Sequence, residues 1–97
     1  MPPYITLMRF AQKGAEDITH GPDRVSAATQ RVHAAGGEIK AFDPTMGRYD
    51  AAAIVEAPND AAAAKNLPAT AAQGTVRTEI LRAFTEDEYR RIVSSLP

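Results

Sequence analysis

Asp50, Glu56 and Glu79 each fall in a stretch of strand-like composition, and they are the carboxylates whose placement could do chemistry. A strand sends alternate side chains to opposite faces, so Asp50 and Glu56 share a side with Ala52 and Ile54, and Glu79 shares one with Arg77 and Leu81. If both sets look into a partly dry crevice, their pKa values move apart and supply an acid and a base. The alternative is that they are strand-end charges or the rim of an interface. Arg9, Arg48 and Arg82 are spaced to converge near the ends of a sheet, where guanidinium forks would hold an anionic ligand in bidentate fashion. Surface pairing with the chain's own carboxylates explains them equally well.

The run Gly47-Arg48-Tyr49-Asp50 concentrates these residue types. In a structural reading Gly47 leaves a turn at positive φ and Tyr49 packs its ring under a hairpin. Asp50 then accepts hydrogen bonds from backbone N–H groups of the turn or from Arg9 on the neighbouring central strand. In a functional reading Arg48, Tyr49 and Asp50 form the polar end of an apolar pocket, with Arg9 or Glu79 opposite. The candidate ligand-binding set is therefore Arg9, Arg48, Tyr49, Asp50 and Glu79, and no catalytic residue is singled out.

Other chemistries find little support. The two histidines, His20 and His33, lack a spacing that brings a second ligand near, so no metal site is expected. His33 borders a helical apolar stripe, and His20 precedes the helix start as a loop side chain or the mouth of a pocket. Ser26, Ser94 and Ser95 sit in no nucleophile elbow. Gly36-Gly37 follows a helix, whereas a phosphate cradle needs glycines between a strand and a helix start. Cysteine is absent, which removes disulfides and thiolate metal sites, and no cofactor is expected. A formal net charge of −1 leaves no basic field to attract phosphate backbones, so nucleic acid is not an expected partner. Hydrophobic residues make up 44% of the 97, many of them alanine, but no apolar run approaches the ~20 residues of a membrane span. A cytoplasmic location without membrane attachment is expected.

The elements that position these residues follow from periodicity and punctuation. Tyr4 to Phe10 reads as a strand with Ile5 and Leu7 on one side and Tyr4, Thr6, Met8 and Phe10 on the other. A loop opens at Gly14. A helix begins at Pro22, carries the stripe Val25, Ala28, Val32 and Ala35, and ends at Gly36-Gly37. Glu38 to Asp43 and Tyr49 to Ala57 are strands joined as a hairpin by the turn Asp43 to Gly47. Asn59 caps a helix that runs from Asp60 and ends or kinks near Leu67, because Pro68 lacks an N–H and would clash with Ala64; Ala69 to Gln73 form a separate turn. Thr75 to Phe84 is the last strand. Thr85 and Glu88 form a capping box for a terminal helix with Tyr89, Ile92, Val93 and Leu96 on one face. The order is α+β and ferredoxin-like, βαββαβ with a four-stranded antiparallel sheet, two helices on one face and an extra C-terminal helix, in one domain over 1–97. Right-handed crossovers put the first and third strands in the centre. The open face is expected to display Tyr4, Met8, Phe42 and Leu81 and to mediate self-association, as a homodimer or larger homo-oligomer.

Three blocks carry a family likeness: Pro3-Tyr4-Ile5-Thr6-Leu7-Met8-Arg9-Phe10; Met46 to Asp50 leading to Val55-Glu56-Ala57-Pro58; and Val76-Arg77-Thr78-Glu79 through Leu81-Arg82-Ala83-Phe84-Thr85. Together they resemble the GYD domain family, small bacterial and archaeal proteins named for a glycine–tyrosine–aspartate signature, over nearly the whole chain. The resemblance implies a ferredoxin-like domain related to the dimeric α/β-barrel proteins, and it implies no activity. Two departures, Gly21 before Pro22 and the Asn66-Leu67-Pro68 interruption, bear on local helix geometry. Dimeric α/β-barrel relatives include cofactor-free monooxygenases, so one expectation is a small-molecule pocket, enzymatic or not, at the open face of a dimer. The alternative is a non-catalytic module for protein interaction or assembly.

Overall fold

The computed structural model describes residues 1–16, 18–65, 74 and 76–97. Strand β1, Pro3–Phe10, leads into a short helix α1, Gln12–Glu16, and a 3₁₀ turn at Ile18–His20 where the sequence suggested only a loop. Gly14 is buried inside α1, and its carbonyl accepts a bond from the Arg24 guanidinium at 3.3 Å, which ties α1 to the next helix. That helix, α2, spans Gly21–Ala34 with Pro22 in its first turn and Asp23 placed against the positive end of its dipole.

Two bonds close α2, Gly36 N–H to the His33 carbonyl at 3.0 Å and Gly37 N–H to Val32 at 2.9 Å, the Schellman pattern. Gly37 has a second reason to lack a side chain. A Cβ there would stand 2.4 Å from the Glu56 carbonyl oxygen, so the chain passes the end of the hairpin with backbone against backbone.

Strands β2, Glu38–Pro44, and β3, Ala51–Glu56, form the expected hairpin, with a bulge at Lys40. β3 is shorter than Tyr49 to Ala57 because the turn claims its first residues. Thr45 N–H bonds the Asp50 carbonyl at 2.9 Å, the Thr45 hydroxyl bonds the Tyr49 carbonyl at 2.6 Å, and Gly47 takes φ +113°. Asn59 caps α3, Asp60–Ala64, accepting from Ala62 N–H at 2.8 Å. The expected break at Leu67-Pro68 and the turn 69–73 lie outside the described residues. β4 covers Val76–Arg82, and α4, Glu86–Ser94, starts from the Thr85–Glu88 capping box, both of whose bonds form.

The four strands make one antiparallel sheet in the order β2-β3-β1-β4, with the first and third strands central as the ferredoxin-like pattern requires. The helices cover the opposite face from the one expected. Tyr4 is 3% exposed and packs with Ala57, Ala63 and Ile80; its hydroxyl donates to Asp60 Oδ1 at 2.5 Å. Phe42 pairs with Ala53, which pairs with Thr6, so Met8 and Phe42 also lie under the helices. Both faces of β1 carry large apolar groups, so alternation alone does not choose between them. The buried alanines Ala51, Ala53 and Ala57 do, by leaving room for helices on that side. The open face instead shows Ile5, Leu7, Ala52, Ile54 and Leu81, of which only Leu81 was expected there.

α4 stands away from this body. All its residues but Glu88 are exposed, and the Cα radius of gyration is 14.7 Å against about 12.5 Å for a compact chain of this length. Among the described residues no helix is long and apolar enough to cross a membrane.

Candidate functional site

The turn before β3 and the adjoining ends of β1 and β4 bring Arg9, Arg48, Tyr49, Asp50 and Glu79 together. Asp50 is the fixed point. Its N–H bonds the Met8 carbonyl at 2.8 Å and its Oδ2 accepts the Phe10 N–H at 2.8 Å, so the carboxylate prolongs the β1–β3 ladder where regular pairing stops. Tyr49, one residue earlier, reaches across β1 to β4, and its hydroxyl donates to Glu79 Oε2 at 2.8 Å. That bond to a carboxylate, with smaller contributions from desolvation and from the Glu79 charge, holds the Tyr49 phenol above its ordinary pKa. The ring therefore lies over the end of the open face and not beneath the hairpin.

Two guanidiniums sit over that ring, Arg9 at 5.6 Å and Arg48 at 5.8 Å from its centroid. Arg9 Nε also donates to the Arg48 carbonyl at 3.0 Å, which pins the side chain while leaving its terminal fork directed elsewhere. Directly across from Arg9 on β4 is Arg77, on the same open face, and sequence reasoning did not join the two. Only the register shows that pairing; alternation within β4 had grouped Arg77 with Glu79 and Leu81.

The remaining candidates lie elsewhere. Arg82 does not converge with Arg9 and Arg48. It faces the helix side at the other end of β4, over the Tyr4 ring at 5.7 Å and the Phe84 ring at 4.6 Å, with Nε 3.9 Å from Asp60. The Tyr4 phenol is raised above its ordinary pKa first by its bond to Asp60, and Arg82 opposes the shift. Glu56 lies at the far end of β3 from Asp50, 3.9 Å from Lys40, so those two carboxylates form no acid–base pair. His33 is exposed on α2, and His20 is exposed at the N-cap position without a side-chain cap bond.

A cavity of about 580 Å³ lies on the helix side of the sheet, between α2 and the strands. Met8, Phe10, Val25, Ala28 and Phe42 are among its walls, and their carbon surface suits an apolar occupant. This cavity lies on the opposite side of the sheet from the open face, where a pocket against a partner subunit was expected. The open face has uncovered apolar side chains instead, Ile54 at 44% and Leu81 at 42% exposure, and α4 adds Tyr89 at 62% and Ile92 at 47%.

The whole strand-and-turn framework matches a described family, the GYD domain, over residues 4–93. The chain belongs to the GYD domain family. A similar GYD-type relative from Thermus thermophilus is 31% identical over 85 residues, which is 87% of this chain and 90% of the relative. That relative is named a glutamine synthetase and cystathionine beta-lyase binding protein. In this GYD domain the tyrosine and aspartate of the family signature are Tyr49 and Asp50. Asp50 has a structural task at the strand junction, and Tyr49 organises the charged groups around it.

Proposed function

We propose that this GYD domain is a protein-interaction module, working as a homodimer through its open sheet face and docking a second protein through the surfaces that remain. The observation that carries this reading is the apolar open face, with Ile54 and Leu81 exposed beside half-buried Ile5 and Leu7, together with the separate exposed apolar residues of α4. Contiguous apolar surface of this kind is characteristic of association sites. The arginines and Glu79 form the polar rim that such interfaces carry. The relative's name supplies candidate partners, glutamine synthetase and cystathionine beta-lyase.

The test is direct binding of the purified protein to each of these enzymes from its own organism, by titration calorimetry and size-exclusion chromatography. A complex of either enzyme with the wild-type protein supports the reading. Absence of a complex with both enzymes removes them as partners, and a wild-type protein that is monomeric and binds neither overturns the proposal.

A second reading rests on the 580 Å³ cavity, whose size and carbon lining suit a small apolar molecule. Enhancement of an apolar fluorophore on binding, lost when Ala28→Phe fills the space, is its expected signature. Dye binding unchanged by Ala28→Phe rules the cavity out.

A further inference from the structure

We propose that Arg9, Arg48 and Arg77, organised around Tyr49, form a docking point for the side-chain carboxylates of an acidic segment on a partner protein. The proposal rests on the protein-interaction reading and names the chemistry that one part of that surface recognises.

Three observations point to a ligand of this class. First, Arg9 and Arg77 are directly opposite on neighbouring antiparallel strands and share the open face. Like charges in that position repel, and among the described residues neither has an ion-pair partner to offset it. Second, Arg9 and Arg48 are pre-positioned. Both lie over the Tyr49 ring, and Arg9 is further held by its Nε bond to the Arg48 carbonyl. A planar guanidinium held in this way loses less freedom when its fork closes on a carboxylate. Third, the two carboxylates close by are already engaged. Glu79 accepts the Tyr49 hydroxyl and Asp50 accepts the Phe10 N–H, each keeping its charge, so three cationic groups outnumber two anions that these bonds hold in place.

The spread of the cations separates a peptide from a point anion. Arg77 and Arg9 stand on adjacent strands about 5 Å apart at the backbone, and Arg48 approaches from the turn. An extended acidic segment offers carboxylates at comparable intervals, whereas a single small anion satisfies one fork. Exposure of all three arginines keeps the site open to a macromolecule, and the attraction weakens with salt as exposed charges become screened.

The experiment uses the full chain and N-acetylated hexaglutamate amide as probe, with hexaglutamine amide and inorganic phosphate as comparators, followed by amide chemical shifts at low salt. Saturable shifts at Arg9, Arg48, Tyr49 and Arg77 with hexaglutamate, absent with hexaglutamine, are expected. Arg9→Gln with Arg48→Gln weakens binding about tenfold or more. Tyr49→Ala also weakens it by freeing both guanidiniums, while Tyr49→Phe retains the ring and most of the affinity. Far-ultraviolet circular dichroism verifies that each variant is folded.

Unchanged hexaglutamate affinity in the double arginine variant overturns the proposal, as does phosphate binding of equal strength at the same residues. A double variant that loses the dimer while hexaglutamate leaves the spectrum unmoved shows that the arginines serve a second copy, and also overturns it. A glutamine synthetase or cystathionine beta-lyase complex that persists despite a negative peptide result confines the failure to this site.

Discussion

Asp50 and Tyr49 occupy adjacent positions yet answer to different forces, and substitution separates them. Asp50 holds the Phe10 N–H at the point where the β1–β3 ladder ends. Asp50→Asn retains an acceptor oxygen there, so the expected loss in urea unfolding is about 1 kcal/mol or less, while Asp50→Ala strands a partly buried N–H and loses about 1–3 kcal/mol. Equal stability of the two variants would sink the structural assignment. Tyr49 donates to Glu79, and the protonated phenol is the form that this bond favours. With the folded pKa above the ordinary 10.0, the stabilisation is complete below that value and lost as pH rises through the folded pKa. Glu79→Ala removes the acceptor whose bond raises it most, together with the smaller effect of its charge, so phenolate absorbance should develop at lower pH than in the wild type. No change in that titration contradicts the bond. The sequence showed the residue types that meet here, because strand alternation and turn chemistry are local, but it gave Asp50 the turn N–H groups or Arg9 as partners where the structure gives the Phe10 N–H of β1, forty residues away. It did not show the Arg9–Arg77 pairing, which depends on register between segments some 70 residues apart.

At the scale of elements, helix ends were the most legible feature because their chemistry is confined to a few neighbouring residues. The Thr85–Glu88 capping box predicts its own pH response. The Thr85 N–H bond stabilises the Glu88 carboxylate and holds its pKa below the ordinary 4.5. A depressed carboxylate contributes fully above that ordinary value and loses its contribution as pH falls through the folded pKa. Amide shifts of residues 86–90 should therefore move toward random coil on acidification below about 4.5, and Thr85→Ala should weaken α4 by about 1 kcal/mol at neutral pH. Gly37 gives the contrasting case of a tertiary constraint at a helix end. A Cβ at 2.4 Å from the Glu56 carbonyl and 3.1 Å from Val32 has nowhere to go, so Gly37→Ala should destabilise by about 1–3 kcal/mol. A thermal midpoint matching wild type would show that the backbone approach is looser than this. Sequence identified Gly37 as part of a cap but not this contact, which belongs to the packing of the α2–β2 connection on β3. The short helix α1 was missed for a related reason: Gly14 at its centre reads locally as a breaker, and the Arg24 bond that anchors it comes from ten residues away.

At the scale of the molecule, the unanswered question in the sequence was which face of the sheet is inside. Tyr4 and Met8 are as apolar as Ile5 and Leu7, so the decision rests on cross-strand neighbours: small alanines beneath the helices, and Ile54 and Leu81 opposite Ile5 on the other side. That reversal leaves the self-association expectation in place but changes the residues that must carry it. Four strands about 4.8 Å apart and about seven residues long give a face of roughly 440 Å² in projection. A stable interface buries about 800 Å² per partner, so the sheet face by itself falls short. The stripe of Tyr89, Ile92 and Val93 on the protruding α4, with Leu96 just past its end, is the available surface to make up the difference. A homodimer built this way depends on both elements. Light scattering at micromolar concentration should report a dimer for the wild type, a monomer for Ile54→Glu, and a dimer weakened but not abolished by Ile92→Glu. Tyr4→Phe, which alters only the helix side, should leave the dimer intact while lowering the thermal midpoint through loss of the Asp60 bond. A wild-type monomer, or a dimer indifferent to Ile54→Glu, would show that the open face stays solvated or serves a different partner.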